Sequence, residues 1–203
     1  MKEAIQANRG KLCAVPECNN YRHRLTPYCS KHERRSFAYG HPEALRIRTR
    51  DYQNELQQVQ AIINTNEFHE GIQHAVTFLD DMLRAASGGD QRVPASELVA
   101  ILHDKGLTGK ELLTHVSALY VLQRGPNGHL IKSDLHFLYA VGGCVITLRS
   151  QDGARVKGRH RVTLGEFLVK NLGVLCLNIF RAIEQQENKQ KDIYRKYNEP
   201  LTV

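Results

Sequence analysis

DYQNELQQVQAIINTNEFHEGIQHAVTFLDDMLRAAS, residues 51–87, carries Leu56, Val59, Ile62 and Ile63, then Phe68, Ile72, Ala75, Val76, Leu79, Met82 and Leu83. Apolar residues recurring at threes and fours line one side of an α-helix. The stretch therefore predicts two amphipathic helices with a break near Asn64–Asn66, and it sets the expectation of a mainly α protein.

Working toward the C-terminus, SGGDQRVP (87–94) reads as a loop, because glycine and proline interrupt both helix and strand. PASELVAILHDKG (94–106) and LTGKELLTHVSALYVLQRG (107–125) each read as a helix, and Thr108 with Glu111 three residues later fits a capping box. Ser133-Asp134 opens a further short helix through DLHFLYAVGG. Thr163 with Glu166 predicts the start of a long last helix through Leu172, Leu175, Ile179, Phe180 and Ile183.

One passage breaks the pattern. CVITLRSQDGARVKGRHRVTL (144–164) places β-branched residues on both sides of Gln151-Asp152-Gly153, and Asp-Gly is a hairpin turn signal. Helices followed by a hairpin and another helix would make the body winged-helix-like, with Arg155, Lys157, Arg159 and Arg161 on the wing. The competing reading is a solvated loop between two helices.

Toward the N-terminus, CAVPECNNYRHRLTPYCSKH (13–32) gathers three of the chain's five cysteines. Cys13 and Cys18 bracket a loop containing Pro16, so two sulfurs can reach one point. Pro27 disfavours a helix before it, and SKHERRSFAY has no breaker until Gly40, which puts Cys29 at a helix start and His32 on the same side near one turn later. Cys13, Cys18, Cys29 and His32 thus form a Cys3His set, a common tetrahedral zinc arrangement in which no position is left for substrate. His23 and His41 lie nearby, and His32 is selected as fourth ligand by spacing. Tyr21, Leu25, Tyr28, Phe37 and Tyr39 are the residues available to pack around the site, too few for a core without a structural Zn²⁺.

Charge is unevenly distributed. The whole chain carries 28 Lys/Arg against 21 Asp/Glu, a net +7. Residues 1–50 hold eleven Lys/Arg and four Glu, so they account for the entire excess, and residues 51–203 balance. Such asymmetry is the footprint of a surface that meets a polyanion. Arg22, Arg24, Lys31, Arg34 and Arg35 lie in or beside the metal module. Arg46, Arg48 and Arg50 alternate in RIRTR, so an extended chain would project them to one side. Arginine makes bidentate contacts to phosphate, and such contacts position a protein on DNA without specifying sequence.

Cys13-x4-Cys18, then Tyr28-Cys29-x2-His32-x2-Arg35, then Gly40-His41-Pro42, resembles the short zinc-binding segment of many phage and mobile-element proteins, including some HNH homing endonucleases. The chain departs from that pattern at Pro27, where glycine is usual, and at His41, where aspartate is usual. The resemblance covers residues 13–42 and implies a zinc-stabilised, DNA-associated module of phage or mobile-element origin. It does not by itself imply catalysis.

The expected organisation is a basic zinc module (1–50), connecting helices (51–86) and a helical domain with a possible hairpin (87–203). Hydrophobic content of 41% and charged content of 24% fit a soluble globular chain. No apolar run approaches the ~20 residues of a membrane span, and MKEAIQANRGKL lacks a signal's apolar core, which points to the cytoplasm. His115 and His136 adjoin apolar helix faces and read as packed core residues. Cys144 and Cys176 read as small hydrophobes. No His-Asn-His pattern, paired carboxylate motif or phosphate-cradling loop is present, so a non-enzymatic regulator or accessory factor binding double-stranded DNA is expected. The alternatives are a factor whose helical body binds a host or phage protein, and a small or degenerate homing-type endonuclease. Helices within 51–86 or 163–190 would serve a homodimer.

Overall fold

The computed structural model describes residues 1–149 and 157–198, with side chains through residue 192. Among the described residues there are eight α-helices: α1 (Lys2–Arg9), α2 (Ser30–Tyr39), α3 (Gln53–Thr65), α4 (Glu70–Ser87), α5 (Ser96–Asp104), α6 (Gly109–Arg124), α7 (Asp134–Thr147) and α8 (Gly158–Asn198). Short 3-10 turns at Thr49–Tyr52 and Pro126–Leu130 precede α3 and α7.

The local signals place most boundaries. α3 ends where Asn66 closes on Ile62, so the expected break divides α3 from α4. Thr108 and Glu111 exchange both bonds of the capping box at the start of α6. Ser133 caps α7 by accepting the amide of His136 at 3.1 Å. Asp80 adds a cap that no local pattern announces: its carboxylate on α4 accepts the Gly109 amide at 2.6 Å, placing negative charge at the positive end of α6.

α6 is the central rod. Leu112, Leu113, Val116, Leu119 and Leu122 are fully buried on several sides, and α3, α4, α7 and α8 pack around it. A helix apolar all round belongs in a core. α7 is similarly enclosed, and its pairing with α8 is the most extensive in the molecule. Gly142 and Gly165 make that pairing possible. A Cβ on Gly142 would overlap the carbonyl oxygen of Arg161, and one on Gly165 would overlap the carbonyl oxygen of Leu138, so the two backbones touch directly.

This packing corrects the reading of residues 144–164. Cys144–Thr147 is the last turn of α7, with Cys144, Val145 and Ile146 buried, and residues 158–164 already belong to α8. There is no β-strand among the described residues, so neither hairpin nor winged-helix arrangement is supported; the Gln151-Asp152-Gly153 turn lies outside the described residues. The physical reason is that burial against helical neighbours outweighs the strand propensity of Val145 and Ile146. The expected cap at Thr163 is also displaced. α8 begins at Gly158, and the Thr163 hydroxyl donates to Arg159 within the helix.

α8 also contains an 18-residue window apolar enough, by length and composition, to cross a membrane, contrary to the sequence expectation. Leu164, Leu168, Leu172, Cys176 and Ile179 are buried against the rest of the protein, and about a third of that window is buried in all.

Candidate metal centre and basic surface

The N-terminal module forms around short backbone links. Leu12 and Tyr21 make an antiparallel bridge, the Cys13 amide donates to Asn20 and the Ala14 amide donates to Pro27. A turn closed by the Cys18 amide on Val15 brings the second sulfur back toward the first. α1 is an element the sequence reading omitted. It buries no residue and is tied on by Asn8, whose amide donates to the carbonyls of Arg24 and Thr26 at 2.9 Å each.

Cys29 is the N-cap of α2, and His32 follows on its first turn. His32 Nδ1 lies 3.3 Å from the Cys13 sulfur and 3.5 Å from the Cys29 sulfur, and the Cys18 and Cys29 sulfurs are 3.9 Å apart. All four ligand atoms fall within 4.8 Å of one another. The edges of a zinc tetrahedron with Zn–S near 2.3 Å and Zn–N near 2.0 Å are ~3.8 Å between sulfurs and ~3.5 Å between sulfur and nitrogen. The observed spacing fits that solid, and it is far too wide for a disulfide. Cys13, Cys18, Cys29 and His32 are therefore positioned to hold one metal ion, and the donor set is consistent with zinc.

The protonation tendencies suit this role in part. Burial, followed by the charges of Arg35 and Lys31, pushes the His32 pKa down and favours the neutral imidazole that ligates. The Asn20 backbone amide holds the Cys18 thiol below its usual value. Burial acts the other way on Cys13 and raises it. Three thiolates with Zn²⁺ would leave one net negative charge, and the N-terminal end of α2 and the nearby arginines compensate it.

The other histidines have different partners. His23 Nδ1 sits 2.5 Å from the Glu33 carboxylate, which ties the inter-ligand loop to α2. His41 Nδ1 accepts the Glu43 amide at 3.2 Å. Geometry thus agrees with spacing in selecting His32. The expected aromatic packing is only partly realised. Tyr28 packs on the cluster with Val15, whereas Tyr21, Leu25 and Phe37 are exposed and Tyr39 faces the helical body.

The arginines separate into groups. Arg22 is occupied inside the module, donating to the Leu12 carbonyl at 2.9 Å and to Asn8 at 3.4 Å. Arg24, Lys31 and Arg34 are exposed and Arg35 is half-buried. Arg46 and Arg48 lie in the irregular segment before the 3-10 turn, with Ile47 half-buried between them, and Arg50 lies in that turn; all three line one groove, joined by Lys132 and His129 from the body. Neither body residue was visible to reasoning along the chain. Lys157 and Arg159 are exposed at the start of α8, Arg155 lies outside the described residues, and Arg161 is only 2% exposed, with its guanidinium 5.4 Å from the centre of the Tyr139 ring. Arg161 is thus a core cation rather than the surface contact that the wing reading required.

His115 and His136 are packed, as expected from the sequence. His115 Nδ1 is 3.0 Å from the Tyr52 hydroxyl, which is also 2.5 Å from the Cys144 sulfur. Burial pushes the Cys144 and Cys176 thiols up to about 11, so neither is poised as a nucleophile. Compared with known proteins, the chain matches no family profile, no curated protein and no solved structure.

Proposed function

We propose that the chain is a zinc-stabilised, non-enzymatic protein that binds double-stranded DNA, serving as a regulator or accessory factor of a phage or mobile element. The observation that carries this reading is the confinement of the whole +7 excess to residues 1–50, the segment that holds the Cys3His set. Exposed Arg24, Lys31 and Arg34 on that module, with Arg46, Arg48 and Arg50 just beyond it, offer guanidinium and ammonium groups to phosphate. The origin and the regulatory role rest on the resemblance of residues 13–42 to phage and mobile-element zinc segments. The cytoplasm is the compartment proposed with them.

A second reading has its own support. Phe37 is 91% exposed and Leu25 59% exposed on the same module, and side chains of that size on a surface suit a protein partner. Fluorescence anisotropy with metal-quantified protein and mixed-sequence duplex DNA across a salt series separates the two. DNA binding predicts affinity falling steeply with salt, and weakened further in the Arg34→Ala/Arg35→Ala double variant. Absence of binding at low salt by metallated protein would overturn the reading and bring the protein partner forward. Cleavage of plasmid in Mg²⁺ would overturn the non-enzymatic part.

A further inference from the structure

We infer that the groove between the linker after α2 and the segment before α7 is the seat of a DNA phosphodiester strand. This inference rests on the DNA-binding reading above and names the place on the molecule that performs it. Arg46, Arg48 and Arg50 come from the linker, and Lys132 comes from the helical body on the other side. The groove has about 590 Å³ of space, room for more than a single ion.

Two acids also line it, Glu43 and Asp51. The Asp51 carboxylate is already engaged, accepting the Arg48 amide at 2.8 Å and lying 3.6 Å from Arg50 Nε. Among the described residues Arg46, Arg48 and Lys132 form no ion pair with a carboxylate. Four cations against two acids, one of them committed to the fold, leave the groove positive. The rest of its lining is His129 and the apolar Leu45, Ile47 and Leu130. A phosphodiester strand alternates anionic phosphate with a less polar sugar, and this lining matches both parts. Phe, Tyr and Trp are absent from this lining and His129 is its one ring, too little to stack successive unpaired bases, which favours the outer backbone of a duplex over a single strand.

The two walls are held together before any ligand arrives. His136 on α7 binds the Leu45 carbonyl at 2.7 Å and receives the Lys132 amide at 3.2 Å. One buried ring therefore fixes a linker residue and a body residue of the groove, so less ordering is required on binding.

The test compares wild type with Arg46→Gln/Lys132→Gln and with Lys105→Gln, which removes one charge from the end of α5 outside the groove. Zinc content and thermal unfolding are measured for each. The Lys132 side chain makes none of the bonds above, so glutamine leaves the fold in place. The expected result is about tenfold weaker duplex binding for the double variant, with the slope of log K against log salt reduced by ~2, close to one phosphate per cation. Lys105→Gln should stay within twofold of wild type. If Arg34→Ala/Arg35→Ala weakens binding and the groove variant does not, the groove is excluded while the DNA reading stands. Wild type that binds no duplex at low salt overturns both. Displacement of duplex by polyglutamate at equal charge concentration would assign the groove to an acidic peptide and overturn this inference.

Discussion

His136 and Leu45 are joined by a 2.7 Å hydrogen bond across 91 residues of sequence, and the direction of that bond is fixed. The Lys132 amide donates to Nδ1, so Nδ1 must be bare and the ring hydrogen must sit on Nε2, pointing at the Leu45 carbonyl. His136 is 0% exposed. Burial, opposed by the bond to Leu45, pushes its pKa below the ordinary 6.5.

Linkage gives the pH consequence. With a folded pKa below the unfolded one, the contribution of His136 is complete above about pH 6.5 and is lost as pH falls below that value toward the folded pKa, where the unfolded chain takes up the proton first. Each unit of separation is ~1.4 kcal/mol. His136→Gln keeps a polar side chain without a titration, so its stability should fall less steeply between pH 7 and pH 5 than that of wild type. His32 and His115 are lowered as well, so wild type and variant should be compared by urea unfolding at saturating zinc.

The metal should stabilise one region rather than the whole chain. Cys13, Val15 and Cys29 form a small buried cluster separate from the body's core. Chelation, or Cys18→Ser, should abolish a stoichiometry of one Zn²⁺ per chain and open residues 11–40 to protease. The signal of α3 to α8 in circular dichroism should persist with its own cooperative melt. A complete loss of helicity on chelation would mean the body depends on the module.

Where α7 meets α8, glycine is required by space. Gly142→Ala and Gly165→Ala each drive a methyl group into a carbonyl oxygen of the opposing helix, and each should lower stability by about 3 kcal/mol. Gly158→Ala is the control, because its Cβ would meet only the Tyr139 ring at 3.5 Å. Urea midpoints of the three variants should separate the first two from the third.

Asp80→Ala removes a carboxylate from the first turn of α6 and leaves the Gly109 amide without its acceptor. A loss of about 1–2 kcal/mol is expected. Asp80→Asn should recover part of it, since the amide oxygen can still accept. Thermal unfolding of both variants provides the check.

What could be read along the chain was what depends on near neighbours. Leu56, Val59, Ile62 and Ile63 predicted α3 because periodicity is local. Thr108 with Glu111, and Ser133, predicted caps for the same reason. The four ligands were legible because two pairs close in sequence had to converge. The remaining features depend on distant contacts. Val145 and Ile146 signalled a strand until α6 and α8 buried them in a helix. Gly165 is what lets α7 approach, a role that nothing in its own segment announces. The bond from His136 to Leu45, and with it the placement of Lys132 beside Arg46, has no signature in either segment alone.

α8 runs for 41 residues, and residues 184–192, past the buried Ile183, are exposed. At 1.5 Å per residue the helix is ~60 Å long. A compact chain of this length has a radius of gyration near 17 Å, equivalent to a sphere ~43 Å across. A rod longer than that diameter raises hydrodynamic drag, so a monomer should elute from a gel-filtration column ahead of globular standards of the same 23.1 kDa. Light scattering, which weighs mass without regard to shape, would distinguish that early elution from a dimer.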